Sequence, residues 1–160
     1  MTVHAIIELI KYKLSAKRLH GVHSPFAYTL SEDVLYSDKY DAKTDQLSNK
    51  YEKLQQRIIN KYKLNGPVKP DVYKDSYGAL IIVDDINPGI WLQQVNKLLP
   101  TLPAECVIVI PGIHKNKRCT NKWKRITSHP KIPMSVDLYG AGLLFFKNEF
   151  KEKQHFILKY

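Results

Sequence analysis

Residues 78–114, GALIIVDDINPGIWLQQVNKLLPTLPAECVIVIPGIH, have the pattern of one β-α-β unit. Residues 79–83 form an apolar run rich in Ile and Val, typical of a strand buried on both faces of a parallel sheet. Apolar residues at helical spacing follow between positions 91 and 99, and Pro100 ends that helix. Residues 106–110 form a second apolar run of strand type. Because such connections are nearly always right-handed, we expect two parallel strands with the helix across one face.

Polar residues follow both predicted strands. Asp84 and Asp85 end the first strand, and His114 follows the second. Open α/β sheets bind ligands beyond the carboxyl ends of their strands, so these three residues are the candidate catalytic residues, with His114 as a general base. The alternative is a structural role, in which Asp85 or Asn87 caps the helix and Pro88 lies in its first turn.

Length and composition indicate one domain. A chain of 160 residues with 44% apolar content predicts a single domain over residues 1–160, with a helical part at 1–65 and an α/β part at 78–160. No apolar run reaches the ~20 residues of a membrane span, and no signal region begins the chain, so we expect a cytoplasmic protein without membrane contact. Cys106 and Cys119 fall in predicted core elements, which favours reduced, buried thiols.

The net charge of +10 is the unusual bulk property. It favours nucleic acid as a partner if the charge is gathered on one face, and otherwise indicates a solvated surface. Trp123 lies between Lys122 and Lys124 and could stack on a base, but its spacing with Cys119 and Ile126 favours a core position.

Three helices are predicted before residue 65. They cover residues 2–18, 24–36 and 40–64, and the third ends at Asn-Gly-Pro in residues 65–67. The first carries one apolar stripe, which we expect to pack on the domain rather than to bind a membrane. The stripe consists of Val3, Ile6, Ile7, Ile10 and Leu14.

The chain offers few motifs for metal binding, nucleophilic catalysis or nucleotide binding. His20 and His23 are the one close pair of histidines, and no further ligands lie near them, so a structural role is favoured and no metal site is predicted. Neither a nucleophile elbow nor a P-loop is present.

The carboxy-terminal part predicts a helix and three strands. The helix spans residues 115–128, and the strands span 132–138, 142–147 and 155–159. A tight turn at residues 139–141 makes the first two strands a hairpin, and we expect all three to form an antiparallel addition to the parallel unit.

Two regions resemble a family of small class I S-adenosylmethionine-dependent methyltransferase-like proteins of Bacteroidetes. Residues 16–28, AKRLHGVHSPFAY, are similar to the family's HGVHSPF signature. Nearly everything from residue 79 onward is similar in order and spacing. That part includes IHKNK at 113–117, SHPKI at 128–132, SVDLYGAGLLFFKNE at 135–149 and HFILKY at 155–160.

The resemblance implies a truncated Rossmann-like, class I methyltransferase-like mixed sheet with a carboxy-terminal antiparallel hairpin and amino-terminal helices. It also implies that residues 142–147 lie between the strands at 106–110 and 132–138. In that family a glycine-rich turn after the first strand holds the cofactor. Here the segment between Phe26 and Gly78 has only Gly66 and no apolar strand, so the cofactor-binding half is missing. Residues 110–114 also lack the acidic residues that relatives often carry there, whereas Asp84 matches the family's acidic position.

Three functional hypotheses follow. The first is a degenerate methyltransferase-like protein that binds no S-adenosylmethionine and acts as a binding or assembly module. The second is a methyltransferase whose cofactor site is unconventional or completed by a partner. The third is a basic nucleic-acid-binding module, whose affinity would fall steeply with salt.

The missing half would leave one edge of the strand at residues 79–83 bare. Native proteins cover, pair or charge such apolar edges. We therefore expect this edge to be covered by the amino-terminal helices with residues 67–77, or by a homodimer or paralogue contact.

Overall fold

The computed structural model describes residues 1–18, 21, 23–37, 44, 46–74, 77–83 and 87–160. These residues form one six-stranded mixed sheet with the strand order β1-β2-β3-β5-β4-β6. Strand β5 is antiparallel to both of its neighbours, and all other pairs are parallel. The strands are β1 (Asn65–Val68), β2 (Ala79–Ile82), β3 (Val107–Pro111), β4 (Met134–Asp137), β5 (Ala141–Phe145) and β6 (Gln154–Ile157).

Helices cover both faces of this sheet. The elements are α1 (Val3–Ser15), α2 (Pro25–Leu30) with a π-helical continuation (Ser31–Leu35), α3 (Lys50–Tyr62), α4 (Trp91–Leu98) and α5 (Lys117–Thr127). One core lies between the sheet and α2, the π-helical turn and α3, and the other lies between the sheet and α4 and α5. Among the described residues, no helix is both long and apolar enough to cross a bilayer.

The predicted β-α-β unit is confirmed. Strands β2 and β3 are parallel, with Leu80 opposite Val107, and α4 buries Trp91, Val95 and Leu98 against them.

The predicted start of α4 was wrong. Ile90 occupies the N-cap position and makes no side-chain cap, while the Asn87 side chain accepts a hydrogen bond from the Gly89 backbone N–H at 2.9 Å. Asn87 therefore closes a turn that includes Pro88, and the helix begins only at Trp91. Asp85, the other predicted cap, lies outside the described residues.

Strand β5 lies between β3 and β4, as predicted, and the β4–β5 hairpin turns at Tyr139, which has a positive φ of 64°. The prediction of a third antiparallel strand was wrong, because β6 pairs in parallel with β4. Both edges of β5 are already paired, so β6 takes the free edge of β4.

The third helix is shorter than predicted. It begins at Lys50, with Asn49 as its N-cap, and ends before Lys63, which adopts the left-handed conformation. Residues 38–43 and 45 lie outside the described residues.

The edge of the strand at residues 79–83 is covered, as expected, but the cover is a strand, because β1 pairs with β2 in parallel along that edge. Strand β1 begins at Asn65, which was predicted to lie in a helix end. Its residues are largely exposed, and Pro67 has no N–H to offer a further strand.

The apolar stripe of α1 does not pack on the domain, so that prediction was also wrong. The helix instead buries Ala5 and Glu8 on its opposite side. The exposed fractions of the stripe are 74% for Val3, 43% for Ile6, 46% for Ile7, 54% for Ile10 and 82% for Leu14.

Candidate functional site

A histidine and an aspartate meet where β3 and β4 end. Asp137 is the last residue of β4, and a turn after β3, with Gly112 at φ +68°, brings His114 back toward it. The Gly112 N–H donates to the Gly140 carbonyl at 2.7 Å, which joins the two strand ends. The distance from His114 Nε2 to Asp137 Oδ2 is 2.7 Å, and both residues are buried. The carboxyl rim of the sheet therefore holds a His–Asp pair.

Asp137 accepts hydrogen bonds from two further donors. The Trp123 indole Nε1–H donates to Oδ2 at 3.1 Å, and the Tyr139 backbone N–H donates to Oδ1 at 2.8 Å. Both carboxylate oxygens are thus in use. Asp137 links α5, the hairpin turn and the segment after β3, which makes it the centre of this cluster.

Helix α1 brings a second carboxylate to the cluster. Glu8 is buried, and its Oε2 lies 3.8 Å from His114 Nδ1. The Lys11 ammonium lies 2.7 Å from Glu8 Oε1. Burial raises the pKa of Glu8, but Lys11, assisted by His114, outweighs burial and holds the pKa below its ordinary value. Glu8 is therefore an ionised acceptor facing His114.

Polar contacts from α1 extend along the same rim. Thr120 Oγ1 lies 3.2 Å from His114 Nδ1 and 2.9 Å from His4 Nε2. The Tyr139 hydroxyl donates to the Ala5 carbonyl at 2.7 Å. Farther along, the Tyr12 hydroxyl donates to the Leu158 carbonyl at 2.6 Å. The helix therefore lies over the carboxyl ends of β3 and β4 and is tied there by its own polar groups.

Both ring nitrogens of His114 have polar neighbours within the protein. One ring nitrogen contacts Asp137, the other faces Thr120 and Glu8, and the residue is only 8% exposed. A general base must present a free nitrogen within hydrogen-bond reach of its substrate. The arrangement holds α1 on the sheet, and the general-base role of His114 stays a prediction.

A cleft of about 270 Å³ adjoins the cluster, with Lys11, Lys124 and His155 in its lining. His155 Nδ1 lies 2.7 Å from Ser135 Oγ, a pairing that could suggest a nucleophile. Ser135 is only 1% exposed, so no substrate reaches its hydroxyl.

A larger open cleft of about 770 Å³ lies at the opposite end of the sheet, beyond the carboxyl end of the antiparallel β5. Phe26 and Tyr62 stack there at 6.4 Å between ring centroids, and Lys147 Nζ lies 5.0 Å from the Tyr62 ring. The cleft borders the amino ends of the parallel strands, away from the rim where such sheets bind ligands.

The predicted site residues have different outcomes. His114 lies at the rim, as predicted, whereas Asp84, Asp85 and His20 lie outside the described residues. His23 is exposed, and the described residues contain no group of three or more metal-ligating side chains.

Two residues of the cluster were missed from the sequence. Asp137 follows an apolar strand and precedes a turn, which is the same signal that selected Asp84. Glu8 shares a helix face with Ala5 and Tyr12, and it is the one acidic residue among positions 1–18. An acid on the face opposite an apolar stripe normally faces solvent, so no signal in the sequence indicated that Glu8 is buried.

The core prediction for Trp123 is confirmed, since the residue is 2% exposed, and both cysteines are buried and form no disulfide. Comparison of the chain with protein families, curated proteins and solved structures gives no match.

Proposed function

We propose that this chain is a degenerate class I methyltransferase-like protein that binds no S-adenosylmethionine and acts as a binding or assembly module. The placement of the antiparallel β5 between the parallel β3 and β4 supports the Rossmann-like, methyltransferase-like relationship. The observation that carries the loss of catalysis is the position of α1, which covers the carboxyl ends of β3 and β4 with its own polar contacts.

The use of Gly66 supports the same proposal. It is the one glycine between Phe26 and Gly78, and a cofactor-binding turn would need it beyond the end of a strand. It lies instead inside β1 with φ +113°, where an added Cβ would come within 2.7 Å of the Leu80 carbonyl oxygen. The absence of a side chain at Gly66 therefore lets β1 approach β2 closely.

Assembly with a paralogue or a second copy needs a surface other than the edge at residues 79–83, since β1 occupies that edge. The nucleic-acid alternative loses its proposed stacking residue, because Trp123 is buried in the core. A partner-completed methyltransferase would have to displace α1 from the rim.

Titration calorimetry with S-adenosylmethionine and S-adenosylhomocysteine tests the proposal. The double variant Glu8→Gln and Tyr139→Phe loosens α1 without altering Asp137 or His114, and Tyr28→Phe, at a half-exposed tyrosine, is the matched control. We expect no saturable binding to any of the three proteins at millimolar ligand. Measuring the mass of the same samples gives the oligomeric state.

Two outcomes would overturn the proposal. Micromolar binding to the unaltered protein would establish a working cofactor site. Binding to the loosened variant alone would mean that α1 shields a competent site, which favours the second hypothesis.

A further inference from the structure

The apolar stripe of α1 forms a continuous exposed face. Its five members recur at three- and four-residue steps along the 13-residue helix, so they lie on one side over about 17 Å. Contiguous apolar surface of this kind on a folded protein marks an interaction site.

The contacts of α1 fix the stripe outward. The opposite face carries Glu8 against His114 and Tyr12 against the Leu158 carbonyl. Turning the stripe toward the sheet would remove both contacts and move a charged pair, Glu8 and Lys11, out of its position. The outward stripe is therefore built into the attachment of the helix.

Positive charge surrounds the stripe. At 100° per residue, Lys11 and Lys13 flank it on either side, and the exposed Lys17 and Arg18 follow the helix. The one acidic residue among positions 1–18 is Glu8, which is buried on the other face.

The neighbouring helix adds to the same charge. Thr120 of α5 contacts His4 of α1, and the α5 sequence KRCTNKWKRIT has no acidic residue. Its exposed Lys124 lines a cleft with Lys11 on the Glu8 and Tyr12 side of α1, so this charge lies beside the helix and not on the stripe itself. An apolar face bordered by cations on a folded scaffold complements an anionic surface with an apolar interior.

We infer that α1 docks this protein on an anionic lipid membrane, with the stripe in the boundary between headgroups and acyl chains and the flanking lysines at the lipid phosphates. Hydropathy alone predicted no membrane contact, because it detects spans and α1 lies in the plane of the interface. The inference deepens the proposed binding role by naming the partner class.

A second copy of the chain fits the stripe less well. An isologous pairing of two α1 helices would set the stripe against its own copy, with Lys11 and Lys13 beside it on both copies. No exposed acid among residues 1–18 is available to pair with them.

Vesicle co-sedimentation tests the inference. The probes are vesicles of phosphatidylcholine with about 30% phosphatidylserine, and vesicles of phosphatidylcholine alone, at low and high salt. We expect binding to the anionic vesicles that weakens with salt, and at least tenfold weaker binding to the neutral ones.

Two double variants separate the apolar and charged parts. Ile6→Gln with Ile10→Gln should weaken binding at least about tenfold by removing inserted area. Lys13→Gln with Lys17→Gln should weaken it by roughly 25-fold, at about fivefold for each lysine.

The matched controls are Val72→Gln, at another exposed apolar residue, and Lys69→Gln with Lys151→Gln, and both should bind like the unaltered protein. Because all altered side chains are exposed, unchanged circular dichroism and melting temperature are expected for every variant.

Three outcomes would overturn the inference. They are equal binding to neutral and anionic vesicles, equal binding by the stripe variant and its control, and absence of vesicle binding. In the last case, a dimer that the stripe variant dissociates would assign the stripe to a second copy, and nucleic-acid binding lost in the lysine variant would assign the charge to nucleic acid. The vesicle assay contains no S-adenosylmethionine and the calorimetry contains no lipid, so either proposal can fail alone.

Discussion

Replacing Asp137 with alanine should destabilise the fold through the donors it leaves behind. Its carboxylate accepts from the Trp123 indole N–H, from the Tyr139 backbone N–H and, in the matching tautomer, from His114 Nε2–H. Trp123 and His114 are both buried, so neither donor gains water when the acceptor is removed.

The magnitude follows from these contacts. A buried donor left without a partner costs about 1–3 kcal/mol, and the turn hydrogen bond to Tyr139 adds roughly 0.5–1 kcal/mol. If His114 relieves part of its cost by donating from its other nitrogen to Thr120, the total for Asp137→Ala is about 3–5 kcal/mol. That is a large part of the ~5–15 kcal/mol that stabilises a typical domain. Asp137→Asn keeps one acceptor oxygen and should cost less, about 1–2 kcal/mol.

Urea unfolding monitored by circular dichroism measures these differences, with Asp71→Asn in an exposed turn as the control within about 0.5 kcal/mol of the unaltered protein. A double-mutant cycle between Asp137→Ala and Trp123→Phe should give a coupling of about 0.5–3 kcal/mol, because each change removes the hydrogen bond between the Trp123 indole and Asp137. A loss below about 1 kcal/mol for Asp137→Ala, or zero coupling, would refute the assignment of Asp137 as the centre of the cluster.

Three further measurements test the packing, the titration and the thiols. Gly142→Ala places a Cβ 2.5 Å from the buried Trp123 ring and should lower stability by about 1–3 kcal/mol in urea unfolding, whereas Gly21→Ala, with only side-chain atoms at 3.5 Å or more, should change little. Burial raises the pKa of Tyr12 to about 12, so the unfolded chain loses this proton first, and stability should be intact below pH 10 and fall as the pH rises from 10 to 12. Absorbance titration should then show a tyrosine ionising well above pH 10, and a single transition at 10 would contradict the burial. Both cysteines should resist a thiol reagent in the native protein and react fully in denaturant, and rapid native labelling would contradict their burial.

The parts of the fold predicted from sequence are those with strong local periodicity. Residues 79–83 and 106–110 are apolar without interruption, and α5 places Cys119, Trp123 and Ile126 on one face, so local pattern and tertiary burial agree. The insertion of β5 between β3 and β4 came from the resemblance rather than from periodicity.

The rest depends on partners distant in the chain. Residues 65–68, Asn-Gly-Pro-Val, are a typical turn sequence, and only pairing with β2 makes them a strand. Helix α1 has the expected period, but its buried face is chosen by Glu8 and its contact with His114, which lies more than a hundred residues away. For the same reason the sequence predicted only part of the candidate site. His114 could be predicted because it follows a clear strand. That Asp137 and Glu8 are its partners could not, because they come from distant elements.

The attachment of α1 has a consequence for the order of folding. Tyr12 binds the backbone of residues 158 and 160, at sequence separations of 146 and 148 residues. An isolated helix of 13 residues is marginal in water, so α1 gains its stability from that contact. Contacts between such distant segments close late, because the entropy of the long intervening loop must be overcome first. During synthesis α1 therefore lacks this contact until residues 158–160 have been made, and its apolar side chains are available to other surfaces throughout that interval.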